Sequence, residues 1–184
     1  MMILRRRGWM VLGALAAAVP LHAQEGPQPS QQHKLLEKEV GEWVGASTMW
    51  PAPGVDPMKS SGEESNKMLG GFWLQSEFKG EFAGMPFAGR GQLGFDPDSG
   101  QYVMTWVDSV SPSLFIARGG YDEQSRTLTL IGECTDVMTG EKKRYKAVSQ
   151  YQDTDHKNFT MHEADLGSDD WRKSMEIRYT RKKK

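Results

Sequence analysis

The chain predicts an all-β fold, an antiparallel up-and-down barrel of about ten strands with one N-terminal helix capping one end. Beyond Trp43 apolar and polar residues alternate with the period of two that marks half-buried strands. Nearly every connection between these segments is short and made of turn-forming residues, which favours antiparallel neighbours. No later segment has the length and period of a crossover helix, which a parallel sheet requires. A run of hairpins that closes on itself also removes the exposed edges that invite aggregation.

Residues 1–23 place Arg5, Arg6 and Arg7 ahead of an apolar run over residues 9–19 and end in the small Ala23. This is the layout of a secretory signal peptide cut after Ala23, and its core is too short to span a bilayer. The expectation is a periplasmic or secreted protein with no stable membrane anchor after cleavage. Residues 24–30, rich in Gln, Pro and Ser, read as a flexible leader, and residues 31–184 as a single domain. The chain has 23 basic and 24 acidic residues, and loss of the three arginines leaves 20 basic. Without a strong surplus of either sign there is no electrostatic basis for binding nucleic acid or an anionic membrane.

Gln32, Leu36, Val40 and Trp43 recur at helical spacing, predicting a helix over residues 31–40 that ends at Gly41 and lays this stripe across the barrel end. Strands are predicted over residues 43–50, 62–69, 72–80, 86–95, 101–108, 113–121, 127–133, 143–152, 158–163 and 171–180. The central hairpin spans residues 84–108, with Asp96-Pro97-Asp98-Ser99-Gly100 as its turn. Tyr102, Met104, Trp106 and Asp108 then share one face of a strand, and their size marks that face as interior. Gly89-Arg90-Gly91-Gln92-Leu93-Gly94 spells the glycine pattern of dinucleotide-binding proteins. A turn and a strand follow it instead of a helix, so these glycines are expected to let backbone or side chains approach closely.

The lone Cys134 excludes an internal disulfide and reads as a small buried hydrophobe. His33, His156 and His162 lie far apart, and no cluster of acids accompanies them, so neither a metal site nor a cofactor is predicted. No nucleophile elbow or histidine–acid constellation points to catalysis. The alternative to a binding protein is a hydrolase or isomerase using Glu77 or Asp108 at the barrel mouth, although an aspartate ending a strand more often caps a turn. The expected function is non-catalytic binding of a small, mainly apolar ligand. Phe72, Leu74, Phe78, Tyr102, Met104, Trp106 and Tyr145 are its expected walls, with Asp108 and Arg118 as polar groups at the mouth. Parity leaves open which face of residues 113–121 points inward, because Leu114, Ile116 and Arg118 alternate with the equally apolar Phe115, Ala117 and Tyr121.

His33-Lys34-Leu35-Leu36 leading to Gly41-Glu42-Trp43, then Leu69-Gly70-Gly71-Phe72, Gly84-Met85-Pro86-Phe87-Ala88-Gly89-Arg90-Gly91, Gly94-Phe95-Asp96, residues 102–108, Gly120-Tyr121-Asp122 and Met138-Thr139-Gly140 stand in this order. Together they resemble the bacterial domain-of-unknown-function family 1579, over almost all of the mature chain. The resemblance implies a lipocalin-like barrel, similar in shape to lipocalins, fatty-acid-binding proteins and the haem-binding nitrobindins. Gly41-Glu42-Trp43 resembles the Gly-x-Trp element of lipocalins, whose indole is covered by an arginine of the last strand, and Arg178 is the matching candidate. The Arg-x-Tyr clamp of fatty-acid-binding proteins is not reproduced, because Arg178 and Tyr179 are adjacent and point to opposite faces. A haem-binding barrel similar to nitrobindin is a further alternative; it needs an inward histidine, whereas His156 falls in a turn and His162 faces outward if Phe159 and Met161 point inward.

Overall fold

The computed structural model describes residues 26–137 and 139–183, so the export signal predicted over residues 1–23 lies outside the described residues. A short helix α1 (Gln31–Leu36) runs into a 3-10 turn, Glu37–Glu39. Ten strands follow: β1 (Gly41–Met49), β2 (Met58–Leu69), β3 (Trp73–Phe82), β4 (Met85–Asp96), β5 (Gln101–Asp108), β6 (Phe115–Asp122), β7 (Thr127–Thr135), β8 (Lys142–Tyr151), β9 (His156–Asp165) and β10 (Arg172–Arg181). Each pairs antiparallel with its sequence neighbours, and β1 pairs with β10 to close the barrel. The turns after the even strands therefore lie at the helix end and those after the odd strands at the opposite end.

The helix plugs its end with Leu35 and Leu36, which pack into the same cluster as Leu74, Tyr102, Leu128 and Leu130. Leu36 is fully buried, and removing such a side chain from water is worth about 1.5–3 kcal/mol. The predicted stripe of Gln32, Leu36, Val40 and Trp43 holds at Leu36 and Trp43: Gln32 and Val40 are exposed, while His33, Leu35 and Glu39 are buried. The chain tightens from α-helix to 3-10 after Leu36, and the shorter repeat swings Glu39 inward in place of Val40.

The alternation on β5 is as expected, with Tyr102, Met104, Trp106 and Asp108 turned inward and Val107 exposed. On β6, Phe115 and Ala117 are buried while Leu114, Ile116 and Arg118 face solvent, which settles the open parity. β2 starts at Met58, four residues before its predicted beginning, because Lys59, Ser60 and Ser61 are polar and carry no apolar alternation.

The glycines of the central hairpin make room for two tryptophans. A Cβ on Gly89 would stand 2.1 Å from the Trp106 ring and one on Gly91 3.0 Å from it, so the indole lies flat across this strand on the inner face. On the outer face a Cβ on Gly94 would stand 2.3 Å from the ring of Trp73. Gly89→Ala should therefore displace Trp106 and cost about 1–3 kcal/mol by overpacking. Gly120→Ala, where nothing lies within 4 Å, should stay within about 0.5 kcal/mol of the wild type. Urea unfolding midpoints of the two variants check the difference.

Candidate ligand-binding lumen

The barrel encloses a cavity of about 380 Å³ that runs from the open end to a polar floor behind the helix plug. Its middle is apolar, walled by Leu74, Phe78, Met104, Trp106, Phe115, Tyr145, Phe159, Met161 and Ile177. The hydroxyls of Ser47, Ser60, Ser76 and Ser149 interrupt this wall, and Cys134 lies among the lining residues. Phe82, Phe87, Val110 and Val137 stand near the mouth.

The floor is a buried ion cluster. Lys157, the second residue of β9, is 6 % exposed and meets the carboxylates of Glu39 and Glu64, the latter at 2.9 Å. Its Nζ also lies 4.7 Å from the centroid of the Trp43 ring and 4.6 Å from that of Tyr179. An ammonium between two carboxylates and two aromatic faces has its charge answered on every side, which is the condition for burying it. Burial alone would lower the Lys157 pKa, but Glu39 and Glu64 outweigh it and the net direction is up. Burial likewise pushes the Glu64 carboxyl up, and Lys157, Asn66 and Tyr179 outweigh it, leaving the pKa below the usual value of 4.5.

Neighbouring groups fix the Glu64 carboxylate and the main chain of Glu39. Asn66 Nδ2 donates to Glu64 Oε1 at 2.8 Å and to the Glu39 carbonyl at 3.1 Å, and Trp43 Nε1 donates to the same carbonyl at 2.9 Å. Burial holds the Tyr179 hydroxyl well above its ordinary pKa, so it stays protonated as a donor to Glu64. The Arg181 guanidinium carbon also lies over Trp43, 4.0 Å from the ring centroid. Arg181 also donates to the carbonyls of Lys38 and Val40, which the end of the helical segment leaves without intrahelical partners. Gly41, at φ +127°, gives this arginine its space, since a Cβ there would stand 2.7 Å from Nη1.

At the mouth Asp108 is held by three N–H donors: Trp106 Nε1 at 3.1 Å, and the backbone of Val110 at 3.0 Å and Ser111 at 2.8 Å. It therefore caps the turn after β5 while lining the lumen. Tyr145 donates its hydroxyl to Asp136 Oδ2 at 2.9 Å, and burial together with this bond raises the Tyr145 pKa.

Of the residues expected from sequence, Leu74, Phe78, Met104, Trp106, Asp108 and Tyr145 converge on the lumen. Phe72 and Tyr102 serve the helix plug instead: Phe72 packs edge-on against His33 at 5.3 Å, and the Tyr102 hydroxyl donates to the Gln32 carbonyl at 3.0 Å. Burial lifts the Tyr102 pKa to about 12. Arg118 is not a mouth residue, because its strand turns it outward, where it pairs with Asp96 at 3.4 Å. Glu77 is also outside, bonded to Arg90 at 2.9 Å, and does not line the lumen; together with Asp108 it borders a separate hollow on the outer surface. Arg178 is exposed and paired with Glu176, and the arginine over Trp43 is Arg181, three residues on, directly opposite Trp43 in the β1–β10 register.

No histidine stands among the described lining residues, so an imidazole bond to haem iron has no donor there. His33 is part of the plug, with Nδ1 accepting from the Ser30 backbone at 3.1 Å. His156 is exposed beside Asp153, and His162 lies on the outer face between Lys146 and Lys173 in the register. The sequence reading missed Glu39, Glu64 and Lys157 altogether. The signal available for Lys157 was its shared parity with Phe159 and Met161.

The floor sets a pH profile. Lys157, raised in the folded state, contributes stability that is complete below its unfolded value near 10.5 and is lost as pH rises through the folded value. Glu64, lowered, contributes stability that is complete above 4.5 and is lost as pH falls through its folded value. Urea midpoints should thus drop on both sides of this window. Lys157→Met should cost about 3–5 kcal/mol at neutral pH, because it leaves two buried carboxylates without their cation, and should flatten the alkaline limb.

Comparison with known structures finds the same fold. The crystal structure of Rv2717c from M. tuberculosis superposes with a TM-score of 0.64 at 14% identity, covering 85% of this chain and 100% of that one. The S-type phycobiliprotein lyase CPES from Guillardia theta superposes with a TM-score of 0.55 at 10% identity, covering 83% and 93%. No curated protein matches the chain in sequence. The family model described as protein of unknown function DUF1579 matches residues 28–181, and the chain with its plugged ten-stranded barrel belongs to that family.

Proposed function

We propose that the protein is an exported, non-catalytic barrel that holds a small, mainly apolar molecule in its lumen. The observation that carries this reading is the cavity of about 380 Å³, floored at one end and walled by aromatic and aliphatic side chains with a few polar groups. Ligand pockets have this size and this composition. The case for export is the arginine-led apolar segment ending at Ala23, which puts the site of action in the periplasm or outside the cell. The near-balanced charge argues for a small molecule over nucleic acid as the partner.

Asp108 favours binding over chemistry. Its oxygens are committed to three N–H donors and its expected carboxylate partner faces solvent, so no acid–base pair is assembled at the mouth.

The neutral dye N-phenylnaphthylamine, titrated into the protein, should give a saturable rise in fluorescence. Ser76→Trp fills the middle of the lumen with an indole, so the dye must give up part of its apolar burial and should bind about tenfold more weakly. Gln75→Trp, at the neighbouring exposed position, should leave binding unchanged. Equal binding by wild type and Ser76→Trp would place the dye elsewhere and overturn the proposal.

A further inference from the structure

We infer that the molecule held in the lumen is a cationic amphiphile, a protonated amine on an apolar chain, with its head against Glu39 and Glu64 and its chain along the aromatic wall. This deepens the reading of the barrel as a binding protein and rests on it.

The floor is built to receive positive charge. Five carboxylates line the lumen among the described residues, those of Glu39, Glu64, Glu81, Asp108 and Asp136, against the single cation Lys157. That cation already faces Glu39, Glu64 and the rings of Trp43 and Tyr179, and has no side left for an anionic head group. Two carboxylates around one ammonium leave an excess negative charge where Glu39 is 4 % and Glu64 9 % exposed. Buried charge without a partner is costly, so a second cation arriving from the lumen is stabilised there.

Arg181 does not cancel the excess. It is bonded to main-chain carbonyls and paired with Asp155 at 3.4 Å. A second observation comes from Asn66, which is 2 % exposed. Its Nδ2 donates to Glu64 and to the Glu39 carbonyl, and its Oδ1 has no hydrogen-bond donor among the described residues. The buried Tyr151 hydroxyl beside Glu39 also lacks a partner among the described residues, but neither it nor Asn66 lines the lumen, and what the floor turns to the lumen besides Lys157 is the carboxylates of Glu39 and Glu64, which accept. That is the complement of an ammonium, which brings three N–H donors and no acceptor. A fatty acid meets the reverse, since Arg90, Arg118 and Arg178 all face outward.

The test compares three probes with one chain, dodecylammonium, dodecanol and dodecanoate, below their micelle-forming concentrations at neutral pH. Binding is read from the protein's tryptophan fluorescence, to which Trp106 contributes from the lumen wall. Dodecanol should bind, and dodecylammonium should bind about tenfold tighter or better, as a charge-assisted contact does relative to a neutral one. Dodecanoate should be the weakest. Glu39→Gln should reduce the preference for dodecylammonium over dodecanol. If that variant does not fold, the wild-type ranking still decides. Dodecanoate binding as tightly as dodecanol, or dodecylammonium binding no better than dodecanol, overturns the head-group inference and leaves the container standing. Binding of none of the three overturns both.

Discussion

Lys157 is the point at which the barrel is tied together. Its ammonium meets Glu39 from the helical plug, 118 residues away in sequence, and Glu64 from β2, 93 residues away. The rings around it come from β1 and β10, the two strands that close the barrel. Isolated, each of these charges would cost several kcal/mol to bury, so the cluster is tolerable only when plug, β1, β2, β9 and β10 are all in place. The same interaction that completes the barrel thus seats the plug and gives the lumen a polar floor. Arg181 braces the arrangement from outside by stacking on Trp43 and collecting the carbonyls at the end of the helical segment.

The lumen stays open because several large side chains lie along the wall. Trp106 lies over Gly89 and Gly91, the Phe78 ring lies where a Cβ on Gly62 would come within 2.2 Å, and Ile177 and Tyr179 cover Gly45. In each case the missing side chain lets a ring or branch fold back against the backbone. The space so released sums to a cavity instead of a filled core, while each ring is still shielded from water on one face. The hairpin glycines that imitate a nucleotide-binding pattern are thus part of the means by which this barrel keeps a pocket.

Most of the architecture was legible in the sequence because it is written in local terms. Period-two alternation and turn residues located all ten strands, and the parity of Tyr102, Met104, Trp106 and Asp108 identified an inner wall. The floor was not legible. Glu39 sat on the polar side of a helix assumed to continue to Val40, and the switch to 3-10 geometry turned it inward. Lys157 fell outside every predicted strand, one residue before β9 was expected to begin, and β2 is too polar for Glu64 to stand out as buried. Each of the three looks like an ordinary surface charge when read alone. Only the closure of β1 on β10 and the seating of the plug bring them together. The arginine over Trp43 was misplaced for a similar reason, since the β1–β10 register sets Arg181, not Arg178, opposite the indole.

Both the container and the guest proposed for it depend on an apolar space that persists over a fixed, charged floor. Diffraction from crystals pressurised with xenon tests this directly, because xenon enters dry apolar cavities and is visible by its electrons. Xenon is predicted between Leu74, Trp106 and Phe159, above an undisturbed Lys157 cluster. A lumen collapsed onto its own side chains, with no xenon above Lys157, would contradict it.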